Sequence, residues 1–335
     1  IVIDTVRADA LTEAHTPVFD AIADAGSSPR AWAASTWTAP STVSLMTGRP
    51  VYSHGWDFPF PRHMTAASES YPPLPPELPT LGEVMQEAGY ATVGLYGNQL
   101  LSRPIGWERG FDTWEHTPDS KLVDALTEAL DDVPDDKPLF AYLHLRGAHY
   151  PAEASKAARS RWGVKRKRWP AKKIRDMGDH KPQTQSAYRS GYRAKIEDLD
   201  AILGSLLEVL DDRSKGIVVI TSDHGEMLGE HGEWGHEHWL WEPLPAVPLA
   251  ARGLGDLPDP FNTWGLASRI ADQVGARSVF PAHEGPVLSQ REGRVAVSLR
   301  DGSKGIWDER IATQQGFAAF DLELQPDEDV QMWHP

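Results

Sequence analysis

A hydroxyl held against a divalent cation becomes a nucleophile at neutral pH, and three segments of this chain carry the parts for such a centre. Asp4 ends the apolar run Ile1-Val2-Ile3. Asp223-His224 ends the run Ile217-Val218-Val219-Ile220-Thr221-Ser222. Thr38 lies in Ser35-Thr36-Trp37-Thr38-Ala39-Pro40-Ser41. A carboxylate just past a β-prone run falls at the carboxyl end of a strand, where open α/β sheets bind ligands. A strand-end aspartate on its own is ordinarily a cap or a turn residue. Two of them with an imidazole make a cation site of hard-to-borderline character, suited to Zn²⁺ or Mn²⁺ better than to Ca²⁺.

Positioning those residues requires strands. Apolar runs at 1–6, 91–96, 138–145, 216–222 and 247–251 alternate with helix-like stretches. That is the pattern of an α/β protein with a doubly wound, mainly parallel sheet. In 192–211 the residues Ile196, Leu199, Ile202, Leu203, Leu206, Leu207 and Leu210 share a helical face, and Asp211 to Gly216 turns the chain into the next strand. Pro79-Thr80-Leu81 opens a further helix that ends near Gly89. Seven prolines between 57 and 79 make that stretch an irregular surface excursion. Short strand candidates at 294–299 and 317–323 predict a small antiparallel subdomain, dividing the chain into a catalytic unit over 1–255 and a C-terminal piece over 256–335. No internal repeat is found.

At 335 residues, 40% hydrophobic and 24% charged, the chain has ordinary globular proportions. No run approaches the roughly 18 apolar residues of a membrane span. The count of zero cysteines excludes disulfides, thiolate metal sites and a cysteine nucleophile. Ile1 already lies inside a strand-like run, so the chain reads as truncated at its N-terminus, with any targeting segment outside it. The net charge of −15 argues against general or specific nucleic-acid recognition. Residues 156–175 run the other way, with ten Lys or Arg, no acid, and Trp162 and Trp169 interleaved. That segment is either a solvated face balancing an acidic body or a contact for a polyanionic or lipid-linked substrate.

Further matches surround the three chemical segments. Asp4-Thr5-Val6-Arg7-Ala8-Asp9 is followed by Thr38-Ala39-Pro40-Ser41, Ser44-Leu45-Met46-Thr47-Gly48-Arg49 and His54-Gly55. Then come Pro79-Thr80-Leu81, Ala88-Gly89-Tyr90, Gly97-Asn98 and Arg109-Gly110-Phe111-Asp112. His144 with His149-Tyr150-Pro151, Ser222-Asp223-His224-Gly225-Glu226, Leu228-Gly229-Glu230-His231-Gly232, Val247-Pro248-Leu249, and Phe320-Asp321-Leu322 with Pro326-Asp327-Glu328 complete the series. Each motif alone is weak, but the ordered set resembles the sulfatase-like branch of the alkaline phosphatase superfamily over nearly the whole chain.

The resemblance implies an alkaline-phosphatase-like sheet with one divalent metal, or two, at its carboxyl edge. By position Asp4, Thr38, Asp223 and His224 match the metal ligands, and Thr38 matches the nucleophile that forms a covalent ester later cleaved by water. His149 matches the histidine that contacts the transferring group. His236 matches a position where relatives place lysine or histidine near a second metal or near the leaving group, whose alkoxide needs a proton. Asn98 and His238 are assigned to substrate contact, and the setting implied is periplasmic or extracellular. Bimetallic relatives place an aspartate where this chain has Gly147, so a second ion would have to gather on His149, His236 and His238.

The departures redirect the chemistry. Sulfatases carry Cys-x-Pro-x-Arg or Ser-x-Pro-x-Arg, whose first residue is oxidised to formylglycine; here Thr38 occupies that position and Thr42 the arginine's. Oxidised threonine is a ketone, so the aldehyde-hydrate route is closed. Asn98 replaces a sulfate-binding lysine, and Thr5 replaces the second carboxylate of an Asp-Asp pair. Threonine nucleophiles are typical of related nucleotide phosphodiesterases and phosphoethanolamine transferases. The chain therefore reads as a metal-dependent hydrolase of phosphodiesters or phosphonate monoesters with side activity on sulfate esters. The alternatives are a phosphoethanolamine-type phosphotransferase, a sulfatase acting without formylglycine, and a catalytically silent anion-binding homologue. Retention of Asp4, Thr38, Asp223 and His224 together counts against the last.

Overall fold

Two-sided burial shapes the central strands. All six residues of the strand Ala91–Tyr96 are buried, which is how an apolar run behaves when helices cover both faces of a sheet. In the computed structural model, which describes residues 1–58, 71–102, 104–150, 153–167, 174, 176–210, 216–236, 238–277, 279–282, 286–301, 303–308, 317–321 and 332–333, six strands form this sheet. Their order is Leu249–Arg252, Val218–Thr221, Val2–Ile3, Leu139–Leu145, Ala91–Tyr96 and Thr113–His116. All neighbours are parallel except the edge strand Leu249–Arg252, which runs antiparallel to Val218–Thr221. The register sets Val2 beside both His144 and Thr221, so the chain leaves three adjacent strands at one level.

Helices close the two faces. The helix Pro182–Leu210 buries Tyr188, Tyr192, Ile196, Leu199, Leu203, Leu206 and Leu210, and Ile202 and Leu207 pack partly buried against the same core. It starts at Pro182 rather than near 192, because the polar Gln-Thr-Gln-Ser stretch hides a turn anchored by Tyr188, and proline is tolerated at a first helical position. Asp200 on this helix accepts from the amides of Val18 and Phe19 (3.0 and 2.9 Å), satisfying two donors at the start of the helix Pro17–Asp24. The helix Leu81–Glu87 begins with a reciprocal capping box between Thr80 and Glu83, and Gly89 follows its end with φ +90°. Of the proline-rich excursion, residues 59–70 lie outside the described residues, as do 168–173 and 175 of the basic segment; the helix Lys156–Arg161 carries part of the remainder.

The expected antiparallel unit is present as a five-stranded sheet, Val287–Arg291, Arg294–Ser298, Ser303–Asp308, Phe317–Asp321 and Met332–Trp333. Its first strand is tied to the main body, with the Gln290 amide donating to Ala34 O (2.8 Å) and Ser35 Oγ donating to Gln290 O (2.7 Å). Buried cations on this sheet reach back toward the carboxyl edge. Arg291 pairs with Asp57 (2.6 Å) and Glu292 (2.7 Å), and its guanidinium lies 5.1 Å from the ring centre of Trp37, the residue before Thr38. Arg294 donates to His238 O, and Lys304 donates to Leu240 O (2.8 Å) and Glu242 (2.8 Å). Replacing Arg291 strands two carboxylates that retain some solvent. Arg291→Ala is therefore expected to cost about 3 kcal/mol in urea unfolding, toward the lower end for a broken buried pair; a loss below about 1 kcal/mol would show that the clamp contributes little.

Candidate active site

Asp4 is held by backbone on both sides. Its amide donates to Leu145 O (3.1 Å) and its carbonyl accepts from Ala148 N (3.1 Å), so the turn after Leu139–Leu145 interlocks with the end of Val2–Ile3. Gly147 makes that turn possible: its φ is +66°, and a Cβ there would stand 2.3 Å from Asp4 O. An aspartate at 147 is therefore incompatible with this backbone. Thr5 adopts φ +60°, a conformation costly for a β-branched residue. Its hydroxyl donates to Asp4 O (2.7 Å) and its amide to Asp223 Oδ1 (3.3 Å). Thr5 thus offers its side chain to its own backbone and its amide to the second aspartate.

Asp223 and His224 are fixed by the loop after Val218–Thr221. Ser222 Oγ accepts from Val6 N (3.0 Å) and donates to His224 O (2.7 Å). His224 Nδ1 lies 2.9 Å from Gly225 O, a contact that requires the proton on Nδ1 and leaves a lone pair on Nε2. That Nε2 is 3.5 Å from Asp4 Oδ1 and 3.6 Å from Asp223 Oδ2. Thr38, first residue of the helix Thr38–Thr47, places Oγ1 3.4 Å from the same Nε2. Asn98 Nδ2 donates to Asp4 Oδ2 (2.7 Å) and to Thr38 Oγ1 (3.3 Å), its orientation set by Leu100 N donating to Asn98 Oδ1 (3.0 Å). Ser41 Oγ donates to Ser35 O (3.1 Å), which takes it away from the cluster.

The residues fit a divalent cation. Asp4, His144 and Asp223, all fully buried, bring ligand atoms within 4.8 Å of one another. Asp4 Oδ1, Asp223 Oδ2 and His144 Nε2 are buried without a hydrogen-bond partner, a costly arrangement unless something charged binds them. His144 Nδ1 lies 2.9 Å from the Tyr142 hydroxyl, which orients the ring. Burial, then the charge of Asp223, holds the Asp4 carboxyl well above its usual range. Burial opposes charge on Asp223 as well, but His224 and His144 hold it below the usual range. Burial drives His144 down to about 4, so its imidazole is neutral and available as a donor.

A second group of polar residues stands beside this cluster. His236 Nδ1 is 3.0 Å from Glu226 Oε1, and its ring centre lies 4.5 Å from that of His224 and 5.1 Å from that of His149. His149 Nδ1 meets Tyr150 O (2.5 Å), which leaves its Nε2 as an acceptor. Burial holds His149 and His236 well below the usual imidazole range and pushes the Glu226 carboxyl up to about 8. Arg146 Nη2 donates to Tyr150 O (3.0 Å) and lies 3.4 Å from His149 Nδ1. His238 is exposed at the rim, and His231 is exposed and stacked on Trp241 with centroids 4.3 Å apart. Among the described residues, His149, His236 and His238 do not form a second converging ligand group.

The structure therefore brings together Asp4, Thr38, Asn98, His149, Asp223, His224 and His236, with His238 in an exposed position from which its charge is felt at His236. Sequence reasoning placed His144 and Glu226 in the family-like segments without giving either a role, and it missed Arg146. A further signal for His144 was its place near the end of an apolar run, where a strand's carboxyl end meets the ligand.

A doubly wound sheet with carboxylates, imidazoles and a helix-start hydroxyl at its carboxyl edge defines an alkaline-phosphatase-like protein. The chain belongs to the sulfatase family, whose model matches residues 1–259. It is 28% identical over 282 residues to the low-salt glycan biosynthesis sulfotransferase Agl7 of Haloferax volcanii, covering 80% of this chain and 56% of that protein. It is 35% identical over 120 residues to mouse iduronate 2-sulfatase, covering 30% of this chain and 22% of that protein. The chain thus spans about half the length of the archaeal relative and less of the mouse one. Among solved structures, a 2-O GAG sulfatase aligns with TM-score 0.75 at 15% identity over 98% of this chain and 86% of that one. The phosphonate monoester hydrolase of Agrobacterium radiobacter aligns with TM-score 0.71 at 15% identity, over 98% and 90%. At such identities the structural likeness speaks to the fold.

Asp4 must lose its proton for a cation to bind, so metal affinity is expected to rise with pH, with proton release visible in titrations run in buffers of different ionisation enthalpy. The raised carboxyl stabilises the metal-free protein at low pH, and that contribution is lost as pH rises through its folded value. Chelation should therefore lower Tm more at alkaline than at acidic pH; a chelator-insensitive Tm would remove the cation from this cluster.

Proposed function

We propose that this chain is a metal-dependent hydrolase of phosphodiesters or phosphonate monoesters, with side activity on sulfate esters, using Thr38 as nucleophile. The observation that carries this reading is the Thr38 hydroxyl at a helix N-terminus, 3.4 Å from His224 Nε2 and beside two carboxylates with orphaned oxygens, in a chain without cysteine. Asp4, Asp223 and His224 would hold the cation, with His144 and Thr38 Oγ1 alongside. When bound, it supplies Lewis acidity that favours an ionised hydroxyl and offsets charge on the ester oxygens. The mixed imidazole and carboxylate donors favour Zn²⁺ or Mn²⁺ over Ca²⁺.

The chain's own residues supply the remaining steps. Thr38 Oγ attacks the central phosphorus or sulfur, with Asn98 Nδ2 directed at that oxygen and the positive end of the helix Thr38–Thr47 behind it. Below about pH 8 Glu226 keeps its proton and donates to His236 Nδ1, so Nε2 carries the hydrogen that the leaving alkoxide needs. In this reading His149, neutral with a lone pair on Nε2, accepts the proton of the water that then cleaves the Thr38 ester.

A second reading has Thr38 pass its group to a sugar or lipid hydroxyl instead of water. The name of the Haloferax relative, a sulfotransferase, favours it. The exposed Lys156 and Lys165, close in sequence to the His149 loop, support a polyanionic or lipid-linked substrate, although Arg161 is spent on Glu197 (2.5 Å) and Lys167 on Glu153 (3.4 Å).

A panel of aryl sulfates, phosphate mono- and diesters and phosphonates with Zn²⁺, Mn²⁺ and Ca²⁺ tests the hydrolase reading. Thr38→Ala is expected to lose about 10⁴-fold or more in kcat. Turnover that persists in Thr38→Ala, or aryl sulfates cleaved far better than phosphodiesters, would overturn it; release of product only with an added alcohol acceptor would favour transfer. For poor leaving groups, activity should fall as pH rises through about 8 as Glu226 loses its proton, and Glu226→Gln should abolish that alkaline limb.

A further inference from the structure

Three arginines stand around the cluster, and they differ in how their charge is spent. Arg7 donates to both oxygens of Asp9 and to Glu230. Arg291 is paired with Asp57 and Glu292. Arg146 has no carboxylate partner among the described residues. Its Nη2 rests on Tyr150 O (3.0 Å) and beside the His149 ring (3.4 Å), and no hydrogen bond engages Nη1 or Nε among the described residues. The Asp119 carboxylate is occupied by the amides of Arg146 (2.7 Å) and Gly147 (3.2 Å). The guanidinium is partly exposed, and its charge is felt at Asp4 and at His149.

Elsewhere around Thr38 positive charge is lacking. Thr42 and Asn98 are uncharged, and the second of these is used on Asp4 and Thr38. His149 and His236 are held neutral by burial. Asp4 and Asp223 would together balance one dication, which leaves Arg146 as a cation beside them that no carboxylate pairs among the described residues.

Resting on the hydrolase reading above, we propose that Arg146 is the docking cation for the ester's anionic centre, binding a nonbridging oxygen through its Nη1 and Nε. One guanidinium matches one negative charge. The site is therefore selective for monoanionic centres, as in sulfate monoesters, phosphodiesters and phosphonate monoesters, over the dianion of a phosphate monoester. The bond from Nη2 to Tyr150 O, with the His149 ring alongside, holds the planar fork so that less ordering is lost on binding.

The test is calorimetric titration of metal-loaded wild type, Arg146→Met and Arg146→Lys with methyl sulfate and with methyl methylphosphonate, both monoanions. Arg146→Met is expected to bind each about 30-fold more weakly, the scale of a lost charge-assisted hydrogen bond. Arg146→Lys should fall between, metal content and Tm should stay at wild-type values, and added guanidinium should restore binding to Arg146→Met. Wild type should cleave methyl p-nitrophenyl phosphate with higher kcat/KM than p-nitrophenyl phosphate. Equal binding by wild type and Arg146→Met, no binding by wild type, or a preference for the dianion overturns the proposal. Loss of binding in Arg146→Met alongside full turnover by Thr38→Ala would retain the docking role and sink the nucleophile.

Discussion

Two carboxylates, Asp4 and Asp223, are buried side by side where water cannot screen them, and the surrounding structure answers that constraint. Their like charges cannot both persist without compensation. Asn98 donates to one and the amides of Thr5 and His224 to the other, yet one oxygen of each is left over. The parallel register that sets Val2 beside His144 and Thr221 creates the crowding, and the unfavourable backbone of Thr5 secures it. The fold holds two like charges together because a cation is what would use them.

The chemistry around that pair is arranged by depriving groups of solvent. His144, His149 and His236 lose their charged forms through burial, while Glu226 keeps a proton past neutrality for the same reason. Neutral imidazoles suit ligation and proton acceptance; a protonated carboxyl beside one of them supplies the reverse function. Fixed positive charge is left to the arginines, and two of the three are committed to holding loops. The small antiparallel sheet contributes here as well, since Arg291 and Arg294 bear on the turn before Thr38 and on the loop after His236.

Much of this was legible in the sequence, for reasons that are local. Thr80 and Glu83 announce their capping box by spacing, the leucines of 199–210 announce a helical face, and Asp4 and Asp223 announce themselves by following β-prone runs. What was not legible depends on strand order and backbone handedness. His144 sits inside an apolar run and becomes a ligand candidate only once Leu139–Leu145 is known to lie against Val2–Ile3. Arg146 looks like any loop arginine until the left-handed Gly147 turns the chain back over Asp4. The start of the helix at Pro182 was hidden because its buried tyrosines are separated by polar residues. Short strands such as Thr113–His116, partly exposed, carry no pattern strong enough to be read.

The turn at Gly147 also limits what this protein can become. A side chain there would meet the Asp4 carbonyl in this backbone, 2.3 Å from its Cβ. A substitution there by one codon change would disturb the aspartate at the heart of the candidate site. The position therefore admits a side chain only after the peptide itself rearranges, so this turn is sheltered from change by single substitution.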